Sequence, residues 1–131
     1  MSPHRATTWA EVSAYVKHVY PVQHEWPGQG LAIVLNGMAA NHPVLVAIEN
    51  PGYWGVDHVT VEANLGPAGG VDVLAATKAA GSIPMAGVVW REEQVAVRVS
   101  RCLATLTLDH LAATIGSFGG ALDGYVMIRG R

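Results

Sequence analysis

Apolar residues recur along this chain in two rhythms. Between Trp9 and Tyr20 they fall at helical spacing, at Trp9, Val12, Val16, Val19 and Tyr20, which is the period of an amphipathic helix. Thr8 and Glu11 form a capping box ahead of this run and Pro21 stops it, so the pattern predicts a helix over 8–20. Residues 21–30 are rich in Pro and Gly and read as a connection. The rhythm then shortens to two. LAIVLNG (31–37), PVLVAIE (43–49) and DHVTVEANL (57–65) read as strands, the second ending in an Asn50-Pro51-Gly52 turn signal. In the third, Val59, Val61, Ala63 and Leu65 share one face while His58, Thr60, Glu62 and Asn64 share the other. Such alternation marks a half-buried antiparallel strand. The connections are too short for crossover helices, so the three strands should form a meander.

A second helix is predicted over 71–80, with Gly81 as its C-cap and Pro84 beyond. AGVVW (86–90) and QVAVRVSRCL (94–103) flank Arg91-Glu92-Glu93 and read as a hairpin. Val95, Val97 and Val99 face one way there, and Gln94, Arg98 and Ser100 the other. Thr107 can cap a last helix whose Leu108, Leu111, Ile115, Phe118 and Leu122 step by three and four. Gly116, Gly119 and Gly120 each cost about 1 kcal/mol against Ala in a helix interior, which predicts an end near Gly119. The expected order is α-β-β-β-α-β-β-α, an α+β fold with helices packed on a five-stranded, mostly antiparallel sheet. Residues 1–6 read as a tail and 7–131 as a single domain.

Charge narrows the function. A net charge of -2 leaves no basic footprint for nucleic acid, and no Lys/Arg cluster marks a membrane surface. Apolar runs such as LAIVL fall far short of the roughly 20 residues that span a bilayer, and MSPHRATT lacks a signal-peptide core. The single cysteine, Cys102, forms neither an intramolecular disulfide nor a CxxC site, so a cytoplasmic location is expected. Only 14% of residues are charged, against roughly 25% in a typical domain. So few charges cannot cover a small domain, and part of its apolar surface should meet another chain. The helix at 71–80 is the candidate for that contact, because its apolar residues point almost all round its axis. One side would pack on the sheet and the other on a second copy, giving a homodimer interface at Val73, Leu74, Ala76, Thr77 and Ala80.

Chemistry-bearing residues are scattered. The Gly66, Gly69, Gly70 corner ahead of that helix has neither the G-x-G-x-x-G nor the G-x-x-x-x-G-K-[ST] spacing. It meets half of an acyl-CoA loop pattern at Gly66 and Ala68, but Ala63 stands where Gln or Arg is needed. His4, His18, His24, His42, His58 and His110 show no metal-ligand spacing, and Cys102 has no base fixed beside it. Glu92-Glu93, Asp57, Asp109 and Asp123 form no acid/base pair. No catalytic residue, metal or cofactor is therefore expected. The aromatics stand out instead. Trp26, Tyr53 and Trp54 lie in connections, and Tyr15 and Tyr20 lie off the first helix's core stripe, so these five are candidate anchors for a partner.

The strand VEANLGP (61–67), the helix VDVLAATKAAG (71–81), and the hairpin and helix that follow resemble the type III secretion chaperone-like fold. That group includes CesT-type Tir chaperones and YbjN-type proteins, and the YbjN-type side is the nearer. The likeness runs from Trp9 to about Leu122. It departs at Ala75-Ala76-Thr77, where the family commonly has Ala-Asn or Leu-Asn, and in the glycine-rich last helix. The resemblance implies a non-enzymatic, homodimeric protein-binding module that holds an extended client segment against the sheet and first helix. An acyl-CoA-type enzyme using the Gly66 corner and a structural subunit of a larger assembly are the alternatives.

Overall fold

In the computed structural model, which describes residues 7–50 and 55–129, six strands form one sheet. They are β1 (Val22–Trp26), β2 (Gly30–Asn36), β3 (Asn41–Glu49), β4 (His58–Pro67), β5 (Gly87–Arg91) and β6 (Gln94–Cys102). Helix α1 (Trp9–Val19) precedes them, α2 (Val73–Gly81) links β4 to β5, and α3 (Leu108–Arg129) follows β6. The strand order is β1-β2-β3-β4-β6-β5, and every neighbouring pair is antiparallel. The predicted tail at 1–6 and the Pro51-Gly52 part of the expected turn lie outside the described residues.

The α+β class agrees with the sequence pattern, but the sheet has six strands and not five. The added strand is β1, inside the segment expected to be a connection. Its residues are mostly exposed, so it never acquires the apolar alternation that marks a core strand. A register shift between Val22 and His24 bends it further from a regular ladder.

All three helices pack on one face of the sheet. Leu31, Ile33 and Leu35 of β2, Val44 and Val46 of β3, Val59, Val61 and Ala63 of β4, and Val97 and Val99 of β6 form a single core with them. Thr8 caps α1 by accepting from the Glu11 N–H at 3.2 Å, and Val12 and Val16 are fully buried. Asp72 caps α2 by accepting from the Ala75 N–H at 3.0 Å. Helix α3 continues ten residues past the expected stop at Gly119. Its inner stripe of Leu111, Ile115, Phe118, Leu122 and Tyr125 is anchored in the core, and that burial outweighs the weak propensity of its glycines. By length and composition Leu108–Ile128 could cross a bilayer; here Leu111, Ile115, Phe118, Leu122 and Tyr125 are buried, while Val126, Met127 and Ile128 at its far end are exposed.

One polar tie fastens α3 to the β2–β3 turn. The Asp123 carboxylate accepts from the N–H groups of Met38 at 2.8 Å and Ala39 at 3.1 Å, and it meets Nε2 of buried His42 at 2.7 Å. The His42 hydrogen bond and then the two backbone donors hold this carboxyl down to about 2, from an ordinary 3.8. Gly37 closes the turn, because a Cβ there would lie 2.6 Å from the Ala40 carbonyl oxygen and 2.7 Å from His42 Nε2.

Two predictions follow from these contacts. Because the folded pKa of Asp123 lies below its unfolded value, its contribution is complete above about pH 4. It is lost as the pH falls from 3.8 toward about 2. Asp123→Asn should lower the melting temperature at neutral pH, and the gap to wild type should close over that acid window in scans at stepped pH. The β5–β6 hairpin turns on Glu92 (φ 51°) and Glu93 (φ 64°), both left-handed, a conformation that suits Asn-Gly far better. Replacing the pair by Asn-Gly should stabilise the domain by about 1 kcal/mol in urea titrations.

Candidate functional site

With every helix on one side, the opposite face of the sheet is left without a covering element among the described residues. The register sets out what stands on it. One row across the strands runs His24, Ala32, Leu45, Glu62, Arg98, and the next runs Trp26, Gly30, Ala47, Thr60, Ser100. The alternation that sends Leu31, Val46, Val61 and Val99 inward therefore sends these residues outward.

The β4–β6 half of this face is a charged lattice. Arg98 donates through Nη2 to Glu49 two strands away, and its Nη1 lies 3.8 Å from Glu62 Oε1. Arg91 reaches the same Glu62 oxygen at 3.3 Å. Thr60 and Ser100 hydroxyls bond each other at 2.9 Å beneath the guanidinium. Gly87 stands opposite Arg98 on β5 and offers no side chain to crowd it. The groups shield each other so well that Thr60 is fully buried on a face no helix covers. Burial pushes the Glu62 carboxyl above its ordinary range, with Glu49 adding to the rise; Arg91 opposes it without prevailing. Desolvation thus outweighs a nearby positive charge here.

The β1–β3 half is apolar. Trp26 is 44% exposed and stacks edge-on with His24, ring centroids 4.4 Å apart. Beside it, Gly30, Leu45, Ala47 and Ile48 line a groove of about 360 Å³ that ends at Glu49. Gly30 lets the strands approach closely there, since a Cβ would lie 3.1 Å from the Val46 carbonyl oxygen and 3.2 Å from the Ala47 methyl and would press its neighbours back by a few tenths of an ångström. The exposed indole, the apolar trough and the Arg98–Glu49 pair adjoin one another on this face.

The five aromatics singled out from sequence do not form one site. Trp26 lies on the open face. Tyr15 and Tyr20 pack against the core on the helical side, contrary to the expectation that they stand off the core stripe. Burial and the adjoining Tyr15 hydroxyl push the Tyr20 phenol up to about 12. Tyr53 and Trp54 lie outside the described residues. On α2, Val73, Leu74 and Thr77 are exposed, whereas Ala76 and Ala80 are buried in the chain's own core. The helix is two-faced: Ala75, Ala76, Ala79 and Ala80 turn inward, so apolar composition all round did not mean burial all round.

The glycine corner is a strand end. Gly66 (φ 117°) sits at a register shift in β4, and its N–H donates to Asn64 Oδ1 at 2.8 Å. The Asp72 carboxylate already occupies the start of α2, and Glu92 and Glu93 line the surface depression beside Gly69. Three carboxylates repel a phosphate from this corner. Cys102 stands across from His58 on the open face. Among the described residues, no three His, Cys, Asp or Glu side chains gather as a metal site.

Sequence reasoning missed the Glu49–Arg98–Glu62–Arg91 lattice. Its signal was present in the polar positions of the two best alternating strands, but it needed the β4–β6 pairing to become a constellation. Compared with models of protein families the chain matches none, and it matches no curated protein.

Arg98→Met should leave Glu49 and Glu62 without their shared cation and cost on the order of 1–2 kcal/mol, discounted for partial exposure. Adding Glu62→Leu should return most of that loss, because a half-buried pair is costlier to break than to replace. A double-mutant cycle in urea checks both outcomes.

Proposed function

We propose that this chain is a non-enzymatic protein-binding module whose occupant is an extended, largely apolar segment of a protein partner, and that it works as a homodimer. The observation that carries the reading is the uncovered sheet face, with its exposed Trp26 beside the groove over Gly30, Leu45 and Ala47. The β1 edge adjoins the groove and has no strand on its outer side among the described residues. A segment added along β1 would find unpaired backbone groups there and could place alternate side chains near Trp26. Exposed tryptophan in a trough supplies large contact area at little conformational cost. The resemblance to secretion-chaperone-like proteins points the same way. The carboxylates around the Gly66 corner weigh against the acyl-CoA alternative.

The dimer reading rests on exposed Val73 and Leu74 of α2 and Trp90 of β5, which are 51%, 68% and 68% accessible. All three belong to the β5 side of the molecule, where α2 packs on that edge strand. A second copy related by a twofold axis would cover both patches at once.

Trp26→Ala should weaken binding of extended apolar peptides, measured by fluorescence polarisation on a peptide library, by about 1–3 kcal/mol. Its melting temperature should stay close to wild type. Unchanged affinity would remove the open face from the reading. Leu74→Glu should convert a dimer to a monomer in sedimentation equilibrium while the chain stays folded. Ala76→Glu should instead unfold it, since that site lies inside the core. A wild-type chain that sediments as a monomer at micromolar concentration refutes the dimer.

A further inference from the structure

Among the described residues, Arg101 is a cation without an anion. It follows Val97 and Val99 on the inward face of β6, across from Val59, where the alternation calls for an apolar side chain. Its stem runs along Val59, Leu106 and Leu111. Its Nε is sealed from solvent and has no hydrogen-bond partner. Arg91 and Arg98 each face a carboxylate; among the described residues no carboxylate pairs with Arg101. Its sealed Nε–H has given up hydration without gaining a partner.

Arg101 also lines a separate pocket of about 180 Å³, together with Pro84 and with His110, Ala113, Thr114 and Ser117 of α3. These four helix residues step by three, one and three, so they present one stripe to the cavity. The pocket contains a guanidinium, an imidazole and two hydroxyls, and no acidic residue lines it. At present the hydroxyls donate to the carbonyls of His110 and Ala113 at 2.9 and 2.8 Å, and a rotation about χ1 would redirect either one into the cavity. The pocket also lies along the first half of α3, toward the positive end of that helix.

We infer that this pocket binds a small oxyanion, a phosphate or a short carboxylate, with Arg101 as its principal ligand. The planar fork of a guanidinium matches two oxygens of either group. A pocket of about 180 Å³ is large enough to admit inorganic phosphate or a short dicarboxylate. Pro84 and Ala113 supply the apolar walls that would suit a short carbon chain. The site lies on the helical side of the sheet, apart from the Trp26 groove.

The test is a titration of the full chain with inorganic phosphate and, separately, with succinate, ionic strength held constant with sodium chloride. The readouts are the Arg101 Nε–Hε resonance in nitrogen–proton NMR spectra and the melting temperature. A saturable shift of that resonance with either anion is expected, and the anion that binds more tightly identifies the class. Arg101→Gln should weaken binding about tenfold or more, the worth of a charged hydrogen-bonded pair. Arg101→Lys should keep part of the affinity, and Ser117→Ala should lower it by a smaller factor. If Arg101→Gln does not fold, the wild-type resonance and the lysine variant carry the decision. A resonance that moves no further with phosphate or succinate than with chloride overturns the inference, as does equal affinity in Arg101→Gln.

Discussion

A sheet that carries all its helices on one side must be dry on one face and tolerable to water on the other. Everything else in this molecule depends on how the strands meet that demand. The period-two alternation in β2, β3, β4 and β6 supplies the dry face, on which three helices close one core. The opposite face has no helix among the described residues, and it is not simply a polar surface. Its β4–β6 half is covered by its own long side chains, with Arg98 laid over Thr60 and Ser100 and held between Glu49 and Glu62. Its β1–β3 half keeps small and apolar residues under Trp26. The lattice ends where the trough begins, at Glu49, so one face holds an ion-paired region beside an apolar one.

Packing on a single side also concentrates the ties between distant parts of the chain. Asp123, late in α3, holds the turn between β2 and β3 through two backbone donors and His42. The contact spans more than eighty residues of sequence. It places the second half of α3 over the β2–β3 hairpin, with Gly37 leaving the room that the carboxylate and imidazole need. Lys17 and Glu25 make a looser tie between α1 and β1 at 3.3 Å, with both partners well exposed. The first contact organises a buried corner, while the second is a solvated pair of small worth.

The alternation of the core strands and the capping box at Thr8 were enough to read the class and most element positions from sequence, because both are local. Strand β1 escaped, since an edge strand with exposed residues on both faces has no periodic signal to give. The end of α3 escaped for the opposite reason. Local propensity at Gly116, Gly119 and Gly120 argues for a stop, and the apolar stripe through Phe118, Leu122 and Tyr125 overrides it once the sheet is present. Trp26 was recognisable as an aromatic in an unusual place. The partners that give it a setting, Leu45 and Ala47, are brought beside it only by the β1–β2–β3 register. Arg98 and Arg101 look alike in sequence, three residues apart. An odd spacing on a strand puts one on each face, so one meets two carboxylates and the other meets none among the described residues.

Helix α3 carries glycine at 116, 119, 120 and 124, and a methyl group added at any of the four would meet open space. The chain's own packing therefore does not demand them, yet together they remove about 4 kcal/mol of intrinsic helical preference relative to alanine. A segment so composed has little tendency to stay helical once it leaves the sheet. Undocking and unwinding of α3 should consequently be one event, and its amide protons should exchange with solvent together, as a single cooperative unit. The turn held by Asp123 would be released in the same step, so the stability of the β2–β3 hairpin is coupled to that of the last helix.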